Sequence, residues 1–205
     1  MKLKYFIWDF DGTLLDTYPH TTTAFVNVLK KHGKEVDFDE AMNLLRFSFE
    51  AARKHFNLTE QMWQDFLHDS HILWFEPNPF PYAEIEDVLK TVVERGGKNY
   101  LYTHRNNTSL EYLNHFDLLK YFEDYVTFES KAFAFKPAPD CVDYLVNKHS
   151  LDKSLTCMVG DREVDIGSGK NAGCKAILFD QRFLSPQTEA DVTVTNLNQI
   201  KDYIA

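Results

Sequence analysis

The chain has 205 residues, 44% of them aliphatic or aromatic and 26% charged, which fits one large α/β domain or a core domain with a modest insertion. Its 22 Lys and Arg against 31 Asp and Glu leave a formal charge of −9, which argues against general binding of nucleic acid or anionic membrane. An anionic ligand would have to be drawn in locally, by a metal and a few basic side chains.

The three cysteines, Cys141, Cys157 and Cys174, form no C-x-x-C pair. A reduced, cytoplasmic protein is the expectation. Residues 1–8 have a basic start, but their apolar run is short and ends at Asp9, so they read as a buried strand rather than a signal peptide. No apolar stretch approaches the ~18 residues of a membrane span.

In chain order, residues 5–8 are continuously apolar, as suits a strand buried on both faces of a parallel sheet. The turn Asp11-Gly12-Thr13 follows. From about residue 18 to 75 the apolar spacing is helical: Ala24, Phe25, Val28 and Leu29, then Phe49, Ala52 and Phe56, then Met62, Trp63, Phe66 and Leu67. The aromatic run Trp63, Phe66, Trp74 and Phe75 reads as the core of this helical block, and the prolines of 77–81 close it. Beyond it, helices are expected over 85–94, 107–115, 139–149, 163–172 and 197–203. Strands are expected over 99–102, 125–128, 155–159, 176–179 and 192–194. Such alternation implies a doubly wound, Rossmann-like parallel sheet. The helical block, 17–80, is an insertion after the first strand into a core made of 1–16 and 81–205.

Ligands of open parallel sheets bind beyond the carboxyl ends of the strands. Four polar clusters stand there: Asp9-Phe-Asp11-Gly12-Thr13, Thr103-His104-Arg105, Lys136-Pro137 and Gly160-Asp161-Arg-Glu-Val-Asp165. Their chemistry fits phosphoryl transfer. A phosphate ester resists an anionic nucleophile unless a cation neutralises its oxygens. Asp9, Asp11 and Asp161 can hold Mg²⁺, which prefers hard oxygen ligands. Lys136 can hold charge on the phosphoryl group and on the nucleophile, and the Thr103 hydroxyl and the backbone N–H groups of the turn at Gly12 and Thr13 can donate to the phosphoryl oxygens. Asp9 is then the nucleophile that forms an aspartyl-phosphate. Asp11 is placed to protonate the leaving oxygen and later to activate water.

These segments, in this order, resemble the four motifs of the haloacid dehalogenase superfamily. The helical block is similar to the family's cap of the first type, as in phosphoglycolate phosphatases and β-phosphoglucomutases. The resemblance implies Asp9, Asp11, Thr103 and Lys136 as catalytic residues. It implies Asp9, Asp11 (through its carbonyl) and Asp161 as metal ligands, with Asp165 a supporting or alternative one. Many relatives carry Asn then Lys after the Thr of the second motif, whereas this chain has His104 and Arg105. Those two residues are expected near the phosphate, and Arg46 and Arg53 of the cap are candidate substrate contacts. A zinc site among the cap histidines is not expected, because no carboxylate or cysteine pattern accompanies them.

The reading is therefore a Mg²⁺-dependent phosphatase of a small phosphorylated metabolite, with no nucleic-acid or membrane partner, monomeric or weakly dimeric. The alternatives are a phosphosugar mutase of the β-phosphoglucomutase type and a non-catalytic binder of phosphorylated metabolites. Dehalogenation and phosphonate hydrolysis are disfavoured by Asp11, which neither reaction requires.

Overall fold

A computed structural model describes residues 1–71, 77–130, 133–181 and 188–205. Trp74 and Phe75 lie outside these residues. The strands are β1 (Tyr5–Trp8), β2 (Leu15–Asp16), β3 (Phe80–Pro81), β4 (Lys98–Tyr102), β5 (Phe122–Val126), β6 (Thr156–Gly160), β7 (Lys175–Phe179) and β8 (Val192–Val194). The α-helices are α1 (Tyr18–Lys31), α2 (Phe38–Phe47), α3 (Phe49–His55), α4 (Glu60–Ser70), α5 (Ile85–Glu94), α6 (Thr108–His115), α7 (Asp140–His149) and α8 (Glu163–Asn171). The chain divides into two compact units, 15–80 and the remainder, 1–14 with 81–205.

The larger unit is built on a six-stranded sheet in the order β5-β4-β1-β6-β7-β8. Every pairing is parallel, so all strand carboxyl ends share one edge. β1 is central because it is apolar throughout: Phe6, Ile7 and Trp8 are completely buried. Ile7 is in register with Tyr100 on one side and Met158 on the other.

One buried polar residue ties several elements together. Asn99 accepts the Trp8 indole N–H at 2.9 Å and donates to the carbonyls of Leu89 and Tyr121. Helix α5 turns Ile85, Val88, Leu89 and Val92 inward, the i, i+3, i+4, i+7 stripe of a helix with one apolar face. Helix α8 shows a weaker stripe because it packs through small residues. A Cβ on Gly169 would lie 2.7 Å from that of Met158, so the helix backbone rides directly on β6.

One strand differs from the sequence expectation. β5 is Phe122–Val126 rather than 125–128, set by its register with β4, from Asn99 opposite Phe122 to Tyr102 opposite Val126. It is an edge strand, where Glu123 and Tyr125 face solvent, so its apolar pattern is diluted. Phe128 falls beyond it in a loop and stays 59% exposed. The expected short helix over 197–203 is present, as a 3₁₀ helix.

The smaller unit packs α1 to α4 around Phe25 and Phe66, whose rings meet edge to face at 5.1 Å. Its helix starts are capped by side chains: Asp37 accepts from Glu40 N–H, Ser48 from Ala51 and Thr59 from Met62. Just outside its helices, β2 and β3 pair as a two-residue ribbon. No described helix is long and apolar enough to cross a membrane.

Candidate active site

β1 delivers Asp9 directly beyond Trp8, buried, with its N–H bonded to Val159 O at 2.8 Å. The chain then turns at Gly12, whose φ of +73° is a conformation that side-chain-bearing residues rarely adopt. Thr13 and Leu14 donate back to Phe10 O. Thr13, whose N–H the sequence reading assigns to the phosphate, is fully buried and spends that N–H on Phe10 O, so it belongs to the wall of the turn.

Lys136 is the hub. Its side chain is fully buried, and Nζ lies 2.6 Å from Asp9 Oδ1 and 2.8 Å from Asp165 Oδ1. It also donates to Tyr102 O at 3.0 Å and stands 4.4 Å from the centre of the Tyr102 ring. Asp165 lies in the first turn of α8, where its Oδ2 accepts the Arg162 N–H at 3.0 Å. It therefore serves the helix start and the lysine together. Burial by itself would suppress the charges here. Against it, Asp165 and Asp9 hold the ammonium above its ordinary range. Lys136 and Arg162 likewise outweigh burial at Asp165 and keep its carboxyl below the usual carboxylate range. Asp9 is the loser of this competition. Burial and the Asp165 charge, opposed by Lys136, push it up to about 7.

A further cation would restore Asp9 to its ionised form, and the donors fit one. Carboxylate oxygens of Asp9, Asp161 and Asp165 lie within 4.8 Å of one another, and Asp9 Oδ2 has no hydrogen-bond partner among the described residues. Three hard oxygens, from two strand ends and the first turn of α8, suit Mg²⁺ better than a softer ion.

The residues after β4 are arranged differently from the sequence expectation. Thr103 is buried, and its Oγ accepts the Arg105 N–H at 3.0 Å, leaving its own O–H to donate elsewhere. His104 Nε2 accepts the backbone N–H of Lys136 at 3.0 Å. Burial, with the charges of Lys136 and Arg162, holds its pKa down to about 3, so it is a neutral acceptor that fixes the Lys136 loop. Arg105 pairs with Asp11 at 2.8 Å. Both had been expected at the phosphate.

In the helical unit, Arg53 is bonded to Glu60 at 2.6 Å and lies 5.2 Å from the Trp63 ring centre. Arg46 is nearly buried, 3.6 Å from Asp16 Oδ1 and 4.9 Å from the Tyr18 ring centre. Tyr102 and Arg162 escaped the sequence reading. Tyr102 acts through a backbone carbonyl and a ring face, which no motif marks. Arg162 sits between two motif aspartates and could have been noticed as a cation held at the strand edge.

Beside Thr103 and His104 a cavity of about 480 Å³ opens, walled by Tyr102, Phe128, Phe133 and Phe135.

A parallel α/β sheet with carboxylates and a buried lysine at its carboxyl edge defines a hydrolase of the haloacid dehalogenase type. The chain belongs to that family: the haloacid dehalogenase-like hydrolase family model matches residues 6–179. It is 27% identical over 181 residues to the pyrophosphatase PpaX of Halalkalibacterium halodurans, covering 85% of this chain and 82% of that protein. It is also 27% identical over 188 residues to a phosphoglycolate phosphatase of Aquifex aeolicus, covering 86% and 84%. Among solved structures, a hydrolase from Streptococcus pneumoniae TIGR4 superposes with a TM-score of 0.67 at 31% identity, over 98% of this chain and 100% of that one. A subfamily IA hydrolase from Geobacter sulfurreducens superposes with a TM-score of 0.76 at 19% identity, over 98% of each.

Proposed function

We propose that this enzyme is a Mg²⁺-dependent phosphatase of a small phosphorylated metabolite, phosphoglycolate phosphatase-like, working through an aspartyl-phosphate on Asp9. The observation that carries the reading is the buried Lys136 ammonium held between Asp9 and Asp165. A buried lysine paired with a strand-end carboxylate that keeps one oxygen unbonded among the described residues makes a preorganised nucleophile with a charge partner.

In the first half-reaction an Asp9 oxygen bonds to phosphorus as the ester P–O bond breaks. The Asp11 carboxyl gives its proton to the departing oxygen. In the second, water attacks phosphorus, its proton passes to the Asp11 carboxylate, and the Asp9–phosphorus bond breaks. Lys136 holds the Asp9 carboxylate in place, and the Thr103 hydroxyl and the N–H of Gly12 bind phosphoryl oxygens. Asp9, Asp161 and the Asp11 carbonyl would hold Mg²⁺, which when bound neutralises phosphoryl charge. Asp165 supports by fixing Lys136. The Phe-walled cavity beside Thr103 offers room for a small organic group.

The mutase alternative needs a cation to hold a second phosphate. Of its two candidates, Arg53 is already ion-paired with Glu60, which favours hydrolysis. The test is phosphate release from a panel of phosphorylated metabolites with Mg²⁺, run beside Asp9→Asn. The amide is nearly isosteric but a poor nucleophile. Turnover should vanish while the circular dichroism spectrum is retained, and BeF₃⁻ should load only the wild type. Substantial turnover by Asp9→Asn would overturn the mechanism, and isomerisation without phosphate release would restore the mutase.

A further inference from the structure

Arg105 lies two residues beyond Thr103, where a phosphate contact was expected. Its guanidinium is turned to another task. Nη2 donates to Asp11 Oδ1 at 2.8 Å, and Nε donates to the same oxygen at 3.0 Å and to Oδ2 at 3.3 Å. The arginine side chain is 4% exposed, whereas that of Asp11 is 24% exposed. The guanidinium carbon stands 5.8 Å from the Phe10 ring centre. The arginine backbone is pinned too: its N–H donates to Thr103 Oγ, and its carbonyl accepts the Phe128 N–H at 3.0 Å. A rigid donor fork thus grips a carboxylate that is itself partly open to solvent.

We infer that Arg105 is a positioning residue for Asp11, holding the carboxyl in the orientation from which its proton reaches the leaving oxygen, and is not a phosphate contact. The inference rests on the acid/base role proposed for Asp11. A carboxyl on a short side chain can rotate about two bonds, and a misplacement of about 1 Å in a reacting group can cost on the order of 10² in rate. Two N–H groups on one rigid plane remove that freedom, whereas a lysine would supply only a point charge. Arg105 exchanges no proton. The proton leaves the Asp11 carboxyl for the ester oxygen in the first half-reaction and returns from water in the second.

The test uses the full-length enzyme with Mg²⁺ and substituted phenyl phosphates, from p-nitrophenyl phosphate, whose leaving group departs readily, to unsubstituted phenyl phosphate, whose leaving group needs a proton. Rapid-mix phosphorylation rates are compared for wild type, Arg105→Met, Arg105→Lys, Asp11→Asn and the Arg105→Met/Asp11→Asn pair. General-acid assistance is worth about 10²–10⁴-fold. Arg105→Met should therefore slow phenyl phosphate roughly tenfold or more beyond its effect on p-nitrophenyl phosphate. Arg105→Lys should fall between Arg105→Met and wild type. Inhibition by inorganic phosphate should be unchanged. In the Asp11→Asn background, Arg105→Met should add less than about twofold, because the carboxyl it positions is gone.

If Asp11→Asn alone shows no dependence on the leaving group, the acid/base reading fails and the inference falls with it. If Asp11→Asn shows that dependence but Arg105→Met slows all esters equally and weakens phosphate inhibition, only the inference is overturned and Arg105 is a phosphate contact. Should Arg105→Met not fold, Arg105→Lys decides: equal slowing of all esters overturns the inference, and selective slowing supports it.

Discussion

Gly160 closes β6, where its backbone is extended and any residue could take its conformation. The need for glycine is spatial. A Cβ there would lie 2.2 Å from Asp165 Cβ, 2.4 Å from Cγ and 2.5 Å from Oδ2. Non-bonded carbons settle at about 3.5–4.0 Å, so Gly160→Ala is short of room by more than 1 Å. No rotamer of Asp165 relieves this, since Cβ is fixed by the backbone of α8. The first turn of that helix must move. The shift loosens the Asp165 contact to Lys136 at 2.8 Å and its cap on Arg162 at 3.0 Å.

Overpacking costs about 1–3 kcal/mol and the damaged cap about 1 kcal/mol, so a loss of about 3 kcal/mol is expected. For a chain of this size that lowers Tm by about 6–12 °C. Because Lys136 is displaced with its partner, kcat should fall by about 10²-fold. Differential scanning fluorimetry and phosphate-release kinetics measure both. Gly96→Ala is the control: its Cβ would meet nothing, but its φ of +77° costs about 1–2 kcal/mol, and kcat should not change. If Gly160→Ala keeps its Tm within about 2 °C and its kcat within a factor of about two, the packing of Asp165 against β6 does not hold Lys136.

Three further outcomes are expected. His104 stays neutral when folded, with its pKa held down to about 3 by burial and by Lys136, against an ordinary 6.5. Between those values only the unfolded chain takes the proton, so stability falls with falling pH by up to about 1.4 kcal/mol per unit. Against His104→Asn, denaturation at pH 7.5 and 4.5 should show the wild type losing about 2–3 kcal/mol more on acidification; parallel curves would mean that His104 is protonated in the fold. Asn99→Leu strands the buried Trp8 indole N–H and should cost about 2–3 kcal/mol, read from urea melts followed by tryptophan fluorescence; an unchanged midpoint would remove Asn99 as a tie. EDTA should abolish phosphate release and Mg²⁺ restore it, while Ca²⁺, which accepts more ligands, should inhibit; full activity in EDTA would remove the metal.

Much of the architecture was legible in the sequence because it is encoded over short distances. The apolar run 5–8 makes a central strand wherever it is placed. The stripe of Ile85, Val88, Leu89 and Val92 makes one helix face, and α5 occupies the expected 85–94. The alternation of such segments implies a parallel sheet, and a parallel sheet implies a functional edge at its strand ends. The family was legible too, in the Asp-x-Asp-Gly-Thr turn and the aspartates after β6.

Most pairings across that edge were not legible, because they are decided by strand order and not by neighbours in the chain. Lys136 meets Asp9 across 127 positions, as their residue types led one to expect, but Arg105 meets Asp11 across 94 with nothing local to mark it. Side-chain type marks Arg105 as a cation and His104 as polar. Only the folded backbone decides that one grips a carboxylate and the other accepts an amide N–H of the Lys136 loop. The same holds for β5. Its residues alternate weakly in apolarity, and its limits come from the hydrogen bonds that β4 offers. Local periodicity specifies elements, because it is a property of each segment's own residues. Partners, burial and protonation state belong to the assembled sheet, because they depend on which distant charges and dipoles folding brings within a few ångströms.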